Sequence, residues 1–261
     1  MSTKEVSGTR LPKETRYYER ESDDFDNTKS ASVGAAWHYD DRAPMRRALR
    51  AVCYFGIAAP IAFTYSKIVK RERFIGKEKL TATKGRGIFV YSNHTCAAGD
   101  AFTPNVFLLP RVSDIVVSAK NLSLPVLGKL VPHLGGIPVP TERSGLKPFT
   151  ERIGSSIGRG RAVVIYPEAH LWEGFGGIRP FSDTSFTYPV RLDAPCYALT
   201  RVYRRRGRSY ASYMYLDGPF YPDSNLDAAK ARKKLCREIR AAMEARAATS
   251  DVAVIEYKRK E

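Results

Sequence analysis

His94 and Asp100 are the two residues of this chain whose types and spacing point most directly to chemistry. An apolar run that reads as a strand, 87–91, leads into His94, and Asp100 follows after a short stretch of small residues. A histidine side chain titrates near neutral pH, so a carboxylate that fixes its tautomer can make it a general base toward an alcohol. The pair therefore predicts acyl transfer to a hydroxyl. The alternative is a histidine at a strand end that is satisfied by its own turn.

Three further residues carry groups suited to a polar substrate. Arg143 follows a glycine turn and a short strand, 135–139, and its planar guanidinium suits two oxygens of one phosphate. Its alternative is a solvated loop charge. Glu168 comes directly after another buried strand and is predicted to orient a hydroxyl of a polyol. Arg179 adds a second cation ahead of a helix start.

The elements that must position these residues alternate in type along the chain. Short β-rich runs separated by helical or loop segments predict an α/β sheet. The runs are 87–91, 114–118, 136–139 and 162–166, followed by 195–203 and 209–216. The last two read as a hairpin with a basic tip at 204–208. Ser224 and Asp227 resemble a capping box, and apolar residues at helical spacing then predict a long amphipathic helix.

The charge of the chain restricts the class of its partners. Its 261 residues include 43 Lys and Arg against 27 Asp and Glu, a formal net charge of +16. That excess predicts a phosphate-bearing partner: nucleic acid, an anionic membrane or a phosphorylated substrate. The basic residues are dispersed and no recognised RNA- or DNA-binding motif accompanies them, so nucleic-acid binding is the remote alternative.

The chain divides into a polar extension and one domain. Residues 1–42 predict a mobile or peripherally packed extension with little chemistry, and 43–261 suit a single core. The apolar stretch 51–65 contains Pro60 and is shorter than the about 20 residues that cross a bilayer. It predicts helices in the membrane interface over about 45–70, with an ordinary core helix as the alternative. The basic flanks that would meet anionic headgroups are Arg46, Arg47, Arg50, Lys67, Lys70, Arg71 and Arg73.

Cysteine usage indicates the compartment. Cys53, Cys96, Cys196 and Cys236 show no CxxC spacing, which predicts free thiols in a reducing compartment and neither a disulfide framework nor a metal site. The start of the chain lacks the layout of a secretory signal, so export is not expected. Cys96 lies two residues from the histidine and offers a second chemistry, a thiol nucleophile with a transient acyl-cysteine. Small buried cysteines are common, so we rank this chemistry below general-base catalysis.

The order of these motifs resembles the glycerolipid acyltransferases typified by 1-acyl-sn-glycerol-3-phosphate acyltransferase, over about residues 45–217. Asn93-His94 through Asp100 is similar to the H-x4-D block of that family. The segment 136–143 is similar to a second block, with a glycine, an isoleucine and an arginine. Tyr166-Pro167-Glu168 resembles the F-P-E-G-T-R block, 179–186 matches the segment after it, and Ala194-Pro195 resembles the fourth block.

The resemblance implies a mixed, mostly parallel sheet flanked by helices and preceded by interfacial N-terminal helices. It implies an O-acyltransferase of phospholipid biosynthesis, peripheral or monotopic on the cytoplasmic face of a membrane. The donor would be acyl-CoA or acyl carrier protein, and the acceptor a lysophospholipid such as 1-acyl-sn-glycerol-3-phosphate, which yields phosphatidic acid. No metal and no further cofactor is expected.

The resemblance also implies roles for the candidate residues. His94, oriented by Asp100, would deprotonate the acceptor hydroxyl. Arg143 and Arg179 would hold the acceptor phosphate, and Glu168 would position the acceptor. A backbone amide near 139–141 would stabilise the oxyanion.

Two positions depart from the family pattern. Five residues separate His94 from Asp100 where the family has four, and six positions on a regular helix rotate by about 240°. We therefore predict that a loop, which Gly99 would allow, reunites the two residues and that the extra residue is a bulge near the active site. The third block reads Glu-Ala-His-Leu instead of Glu-Gly-Thr-Arg, so Arg179 is predicted to replace the missing arginine. These departures keep open a membrane- or lipid-binding protein of the same fold without turnover.

Overall fold

The computed structural model describes residues 14–21, 23–25, 29–37, 39, 45, 48, 51–125 and 127–260. The predicted membrane-facing residues Arg46, Arg47 and Arg50 lie outside the described residues, as does the first part of the polar extension.

Among the described residues, nine strands form two sheets. A two-stranded parallel sheet joins β1 (Thr15–Tyr18) to β9 (Glu256–Arg259). The main sheet contains β2 (Arg73–Ile75), β3 (Ile88–Ser92), β4 (Ser113–Val117), β5 (Gly136–Pro138), β6 (Ala162–Ile165), β7 (Cys196–Arg206) and β8 (Ser209–Phe220). Its order is β2-β8-β7-β3-β6-β4-β5. Strands β7, β3, β6, β4 and β5 are parallel, and only the β7–β8 pair is antiparallel.

The part of the chain that the structure describes also contains six helices. They are α1 (Val52–Val69), α2 (Ala97–Phe107), α3 (Leu127–Leu130), α4 (Leu146–Gly158), α5 (Thr187–Leu192) and α6 (Ala228–Ala247). Short 3₁₀ turns occupy Lys77–Thr83, Ala119–Ser123, Arg143–Gly145 and Thr184–Phe186. The predicted α/β fold, a mostly parallel mixed sheet flanked by helices, is confirmed.

The long C-terminal helix forms as expected, but its cap differs from the prediction. Asp227, in extended conformation, is the N-cap of α6, and its Oδ1 accepts a hydrogen bond of 2.9 Å from the backbone amide of Lys230. The carboxylate therefore satisfies one of the free amides of the first helical turn. The capping box predicted to begin at Ser224 is wrong, because the helix starts three residues later than that motif requires.

The core lies on both faces of the main sheet. Strand β3 is buried along its whole length, and its side chains alternate between the two faces. Phe89 and Tyr91 pack against apolar side chains of α4 and α6, including Ile153 and Ile239. Ile88 and Val90 face a second cluster that includes Phe107 from the end of α2. Two buried faces explain why this strand reads as a continuous apolar run.

The parallel arrangement brings the predicted site residues to one edge. His94 follows β3, Glu168 follows β6 and Arg143 follows β5, and these strands share one direction. The carboxyl ends of parallel strands build the functional sites of α/β folds. The candidate site therefore lies along this carboxyl edge.

The described part of the N-terminal extension also packs along the carboxyl edge. The indole of Trp172 donates a hydrogen bond of 2.9 Å to the carbonyl of Asp23. The amide of Ala31 donates to the carbonyl of Ala119, and Thr141 donates from its amide to the carbonyl of Val33. The extension thus crosses the loops that follow β6, β4 and β5.

Helix α1 has an apolar outer surface, which is unusual for a helix at the surface of a protein. Its turns are π-helical over Val52–Ala58 and Thr64–Val69 and α-helical over Ala59–Phe63, so Pro60 lies within a continuous helix. Buried Tyr54 donates a hydrogen bond of 3.0 Å to Asn105 on α2. The large apolar side chains that are more than half exposed are Val52, Phe55, Ile57, Ile61, Phe63, Ile68 and Val69. At 18 residues, α1 runs further than the predicted apolar stretch, and by length and composition alone it meets the requirement for a membrane-crossing helix.

Candidate active site

The chain leaves β3 at a fixed point. The side chain of buried Asn93 binds the backbone of Arg201 on the neighbouring strand β7, donating to its carbonyl at 3.0 Å and accepting from its amide at 2.8 Å. These two bonds replace the sheet pairing where β3 ends. His94 is therefore held at the carboxyl edge by the sheet itself.

His94 and Asp100 are in contact. The Nδ1 atom of His94 lies 2.8 Å from Oδ2 of Asp100, and the side chains are 23% and 4% exposed. An ionised carboxylate only accepts hydrogen bonds, so Nδ1 carries the proton and Nε2 keeps its lone pair. That nitrogen is the one that can accept a proton from a substrate. The geometry matches a general base with its orienting acid.

The extra residue of the H-x5-D motif is accommodated before the helix. Cys96 is the N-cap of α2 in extended conformation, with φ −153° and ψ 99°, and Asp100 lies in the first helical turn. The amide of Cys96 donates to Oδ2 of Asp100 at 3.0 Å, which closes the loop. The extra residue is thus taken up in a loop next to the dyad, as predicted, but Gly99 does not provide that loop, because it is helical and buried. Glycine is needed there for a different reason: a Cβ would lie 2.7 Å from the Arg201 guanidinium.

Tyr166 completes the immediate surroundings of the dyad. Its hydroxyl donates a hydrogen bond of 2.6 Å to the carbonyl of Asp100, and its ring centroid lies 4.7 Å from that of His94. Burial raises the pKa of Tyr166 well above its ordinary value, so the phenol stays a donor. The ring gives the imidazole an apolar wall on one side.

Glu168 and Arg179 form a buried ion pair beside the dyad. Oε2 of Glu168 lies 3.2 Å from Nη2 of Arg179 and accepts a 3.3 Å hydrogen bond from the amide of His94. Burial raises the pKa of Glu168, an effect that the Arg179 charge opposes, and burial likewise lowers the pKa of Arg179. Arg179 also donates to the carbonyls of His170 and Glu21. Glu168 and Arg179 thus both lie beside His94, and each is bound by other groups of the protein.

Arg143 lies at the same edge but apart from the dyad. Strands β6 and β4 separate β5 from β3 in the sheet, which places the two strand ends about 14 Å apart at the usual spacing. Arg143 is exposed, and no described residue forms an ion pair with its guanidinium. Its neighbour Glu142 is bound by the hydroxyl of Ser32 at 2.7 Å. Among the described residues, Arg143 is thus an exposed cation at the carboxyl edge, at a distance from His94.

Comparisons with known proteins identify the family and the fold. A model of the Acyltransferase family matches residues 71–201, half of the chain, from just before β2 to the middle of β7. The chain belongs to the Acyltransferase family. Among solved structures it is similar to the 1-acyl-sn-glycerophosphate (LPA) acyltransferase PlsC from Thermotoga maritima, with a TM-score of 0.53 and 16% sequence identity. The match covers 78% of this chain and 83% of that one, and at this identity it shows a shared fold. A search of curated proteins gives no significant match.

The acyltransferase does not provide its oxyanion site where the sequence predicted it. The amide of Val139 donates to the carbonyl of Val117 at 2.9 Å, and the amide of Thr141 donates to the carbonyl of Val33 at 3.0 Å. Pro140 between them has no amide hydrogen. The prediction of an oxyanion-binding amide at 139–141 is therefore wrong, because sheet pairing and the N-terminal extension use both donors.

Cys96 is placed for packing in this acyltransferase. The residue is 8% exposed, and burial raises the pKa of its thiol. Little thiolate is present at neutral pH under such conditions, and the thiolate is the nucleophile. The imidazole of His94 is thus accessible, whereas the thiol of Cys96 is buried. Among the described residues, no group of three or more His, Cys, Asp or Glu side chains could hold a metal ion.

Sequence reasoning missed three charged residues next to the acyltransferase dyad. Arg201 approaches Asp100 from β7, Glu72 pairs with Arg201, and Glu173 accepts a 2.8 Å hydrogen bond from the amide of Ala97 at the start of α2. A carboxylate at a helix N-terminus satisfies a free amide and faces the positive end of the helix dipole. Arg201 had a signal in the sequence, because a charge inside an apolar strand run must find a buried partner.

Proposed function

We propose that this acyltransferase transfers a fatty acyl chain from acyl-CoA or acyl carrier protein to a hydroxyl of a glycerophospholipid. The favoured acceptor is 1-acyl-sn-glycerol-3-phosphate, which would make the product phosphatidic acid and the pathway phospholipid biosynthesis. The observation that carries the proposal is the 2.8 Å contact between His94 and Asp100 at the carboxyl edge, with the imidazole partly exposed.

The proposed reaction is a single displacement at the thioester carbonyl. Nε2 of His94 accepts the hydroxyl proton as the acceptor oxygen bonds to the carbonyl carbon. The tetrahedral intermediate collapses, the carbon–sulfur bond breaks, and the imidazolium returns the proton to the leaving thiolate. Asp100 stabilises the imidazolium between these steps. One ester and one thiol result, and the chemistry requires neither a metal nor a further cofactor.

The acceptor phosphate is the proposed ligand of Arg143. Its exposed guanidinium suits two phosphate oxygens, and its separation from His94 suits contact with a different group of the same extended substrate. Glu168 and Arg179 are proposed to act at the acceptor end as well, with the His94 amide held by Glu168. A direct contact of either residue with the acceptor would require exchange of the protein bonds described above.

The membrane is the proposed source of the acceptor. The exposed apolar side chains of α1 suit the headgroup and acyl boundary of a bilayer, and Lys67, Lys70, Arg71 and Arg73 suit anionic headgroups. Helix α1 packs on α2, the helix that carries Asp100, through Tyr54 and Asn105. Membrane contact at α1 would therefore bring the dyad near the lipid surface. The cytoplasmic face is the proposed side, in keeping with the four free cysteines.

The test is product analysis by mass spectrometry. Full-length protein is incubated with isotope-labelled acyl-CoA or acyl carrier protein and a panel of lysophospholipids in vesicles of anionic lipid. We expect a labelled diacyl product from 1-acyl-sn-glycerol-3-phosphate, and no product from the His94→Ala variant. Binding of the lysophospholipid without any labelled product would instead support the non-catalytic lipid-binding protein. Transfer to a different acceptor would keep the reaction and replace the substrate.

A further inference from the structure

Arg201 occupies a position that catalysis by a histidine–aspartate pair does not by itself require. Its guanidinium is buried in the interior, with 1% of the side chain exposed. It forms an ion pair with Glu72, donates to Ser212 Oγ at 2.9 Å and donates to Thr103 Oγ1 at 3.1 Å. Its Nη2 atom lies 3.6 Å from Oδ1 of Asp100. A buried cation is costly unless it is paired and hydrogen-bonded, so this arrangement fixes the guanidinium tightly.

The two oxygens of Asp100 have different neighbours. Oδ2 accepts from Nδ1 of His94 and from the amide of Cys96, whereas Oδ1 faces Arg201. Interactions on both oxygens fix the plane of the carboxylate, and that plane determines the direction in which Oδ2 meets the imidazole. Gly99 permits the approach, because any Cβ there would lie 2.7 Å from Nη2 of Arg201.

Glu72 makes this arrangement compatible with catalysis. A lone arginine beside Asp100 would cancel the negative charge that must stabilise an imidazolium. Glu72 supplies a second carboxylate to the same guanidinium, and its Oε2 accepts a 2.7 Å hydrogen bond from Thr103. The three charges of Glu72, Arg201 and Asp100 then sum to one negative charge, which faces His94.

We propose that Arg201 is a positioning residue that orients the Asp100 carboxylate toward His94, and that Glu72 offsets the Arg201 charge so that the dyad remains a base. The inference deepens the proposed function, on which its catalytic meaning rests. The two carboxylates next to Arg201 then have different roles: Asp100 binds His94, and Glu72 offsets the charge of Arg201. Glu72 follows α1 by three residues, so the same pair joins the apolar helix to the dyad.

Other ionisable groups around the dyad also influence the titration of His94, and they are the same in every variant. The ionisable residues that face His94, Asp100 or Arg201 from the adjoining elements are Tyr65, Cys96, Tyr166, Glu168, Glu173 and Tyr203. The variants below leave all of them in place, so differences between variants report the substituted charge.

The first experiment measures protonation without activity. Full-length protein carrying isotope-labelled histidine is titrated by NMR, and the His94 signal is identified by its loss in His94→Ala. Loss of a nearby positive charge favours the imidazolium and loss of a negative charge disfavours it. We expect Arg201→Met to move the His94 midpoint up by about 0.5–1 pH unit and Glu72→Gln to move it down by a similar amount. Arg152→Met is the control, because Arg152 is buried and pairs with Asp114 between α4 and β4.

The second experiment separates positioning from folding by kinetics. Arg201→Met should lower kcat by about tenfold or more with little change in the KM of the thioester donor, and Arg201→Lys should recover part of the loss because it restores the charge without the planar fork. If Arg201→Met fails to fold, the other two variants still test the proposal. Glu72→Gln should move the His94 midpoint down, whereas Arg201→Lys, which keeps the charge, should leave the midpoint nearly unchanged and still lower kcat.

Unchanged His94 midpoints in folded variants, with activity no lower than in Arg152→Met, would overturn the inference and leave Arg201 a structural residue. Absence of acyl transfer in the wild-type protein would contradict the proposed function instead. The opposite shifts of the midpoints would still be measurable in that case, so the two failures are distinguishable.

Discussion

Glu168 accepts a hydrogen bond from the backbone amide of His94, with 3.3 Å between Oε2 and the nitrogen. The same oxygen lies 3.2 Å from Nη2 of Arg179, and Oε1 accepts from the amide of Arg179. One buried carboxylate thus joins the loop after β6 to the loop that carries His94. The negative charge of Glu168 is balanced mainly by Arg179. Removal of Arg179 should therefore make the stability of the protein depend on pH.

Arg179→Met should destabilise the protein by about 3–5 kcal/mol, because it leaves a buried carboxylate without its cation. Burial already raises the pKa of Glu168 and Arg179 opposes the rise. In the variant the folded state should therefore hold the proton still more tightly than the unfolded state. Stability from such a group is complete at acidic pH and is lost as the pH rises through the raised pKa.

We therefore expect the stability difference between Arg179→Met and wild type to be larger at pH 8 than at pH 5, as measured by urea unfolding. The double variant Arg179→Met/Glu168→Gln is the control and should show a difference that is nearly independent of pH. A single variant whose deficit is the same at both pH values would contradict a charged Glu168 supported by Arg179.

His94→Ala should lower acyl transfer by about 10²–10⁴-fold while the protein stays folded, because it removes the base and little packing. Asp100→Asn should also lower activity, since an amide cannot hold the imidazole in the same tautomer with the same charge. His133→Ala serves as the control histidine. The measurement is the initial rate with labelled acyl-CoA, alongside circular dichroism. Wild-type rates in a folded His94→Ala protein would remove His94 from the mechanism.

The dyad and the sheet could be predicted from sequence because both depend on local patterns. Strand β3 is an uninterrupted apolar run, and the histidine and aspartate lie close together in the chain. Parallel strands then bring Glu168 and Arg143 to the same edge through their position after β6 and β5. These inferences required only the order of the elements.

The residues that were missed depend on contacts between distant parts of the chain. Glu72 and Arg201 are 129 positions apart, and no local pattern pairs them. The position of the loop before α2 could not be predicted for the same reason. The Arg201 guanidinium packs directly against Gly99 within the helix, so the extra residue is taken up at Cys96 instead. The amides of Val139 and Thr141 are bound by Val117 and Val33, two partners that the motif itself does not contain.

Cys96→Ala should keep acyl transfer within a few-fold of the wild-type rate. The thiol is buried with a raised pKa, and the contact of Cys96 with Asp100 is made by its backbone amide. Intact-protein mass spectrometry of the wild type after mixing with acyl-CoA should show no stable acyl adduct. Loss of activity in Cys96→Ala together with an adduct in the wild type would support the thiol nucleophile.

The membrane prediction concerns the outer surface of α1. Phe55 and Ile61 are 51% and 52% exposed, so Phe55→Glu/Ile61→Glu should fold normally and lose flotation with anionic vesicles. Leu226→Glu, at another exposed apolar position, is the matched control and should float like the wild type. High salt should weaken binding of the wild type, because screening reduces attraction to the headgroups. Resistance of the wild type to both carbonate and high salt would argue for a spanning helix instead.

The final prediction separates acceptor binding from chemistry. Arg143→Ala should raise the KM of the lysophospholipid acceptor and leave the KM of the thioester donor nearly unchanged. A charge-assisted bidentate contact contributes about 1.5–3 kcal/mol, which corresponds to roughly ten- to more than a hundredfold in binding. Arg143→Lys should recover only part of the loss, since an ammonium lacks the planar fork.

Lys147→Ala is the matched control for Arg143→Ala, because Lys147 is an exposed cation at the start of α4, only four positions further along the chain. It removes the same charge from the same region without the predicted contact. Equal effects of the two variants would indicate general attraction of an anionic substrate rather than a specific site. A defect of Arg143→Ala confined to acyl-CoA would assign the arginine to the phosphates of the donor, since the acceptor KM would then be independent of its guanidinium.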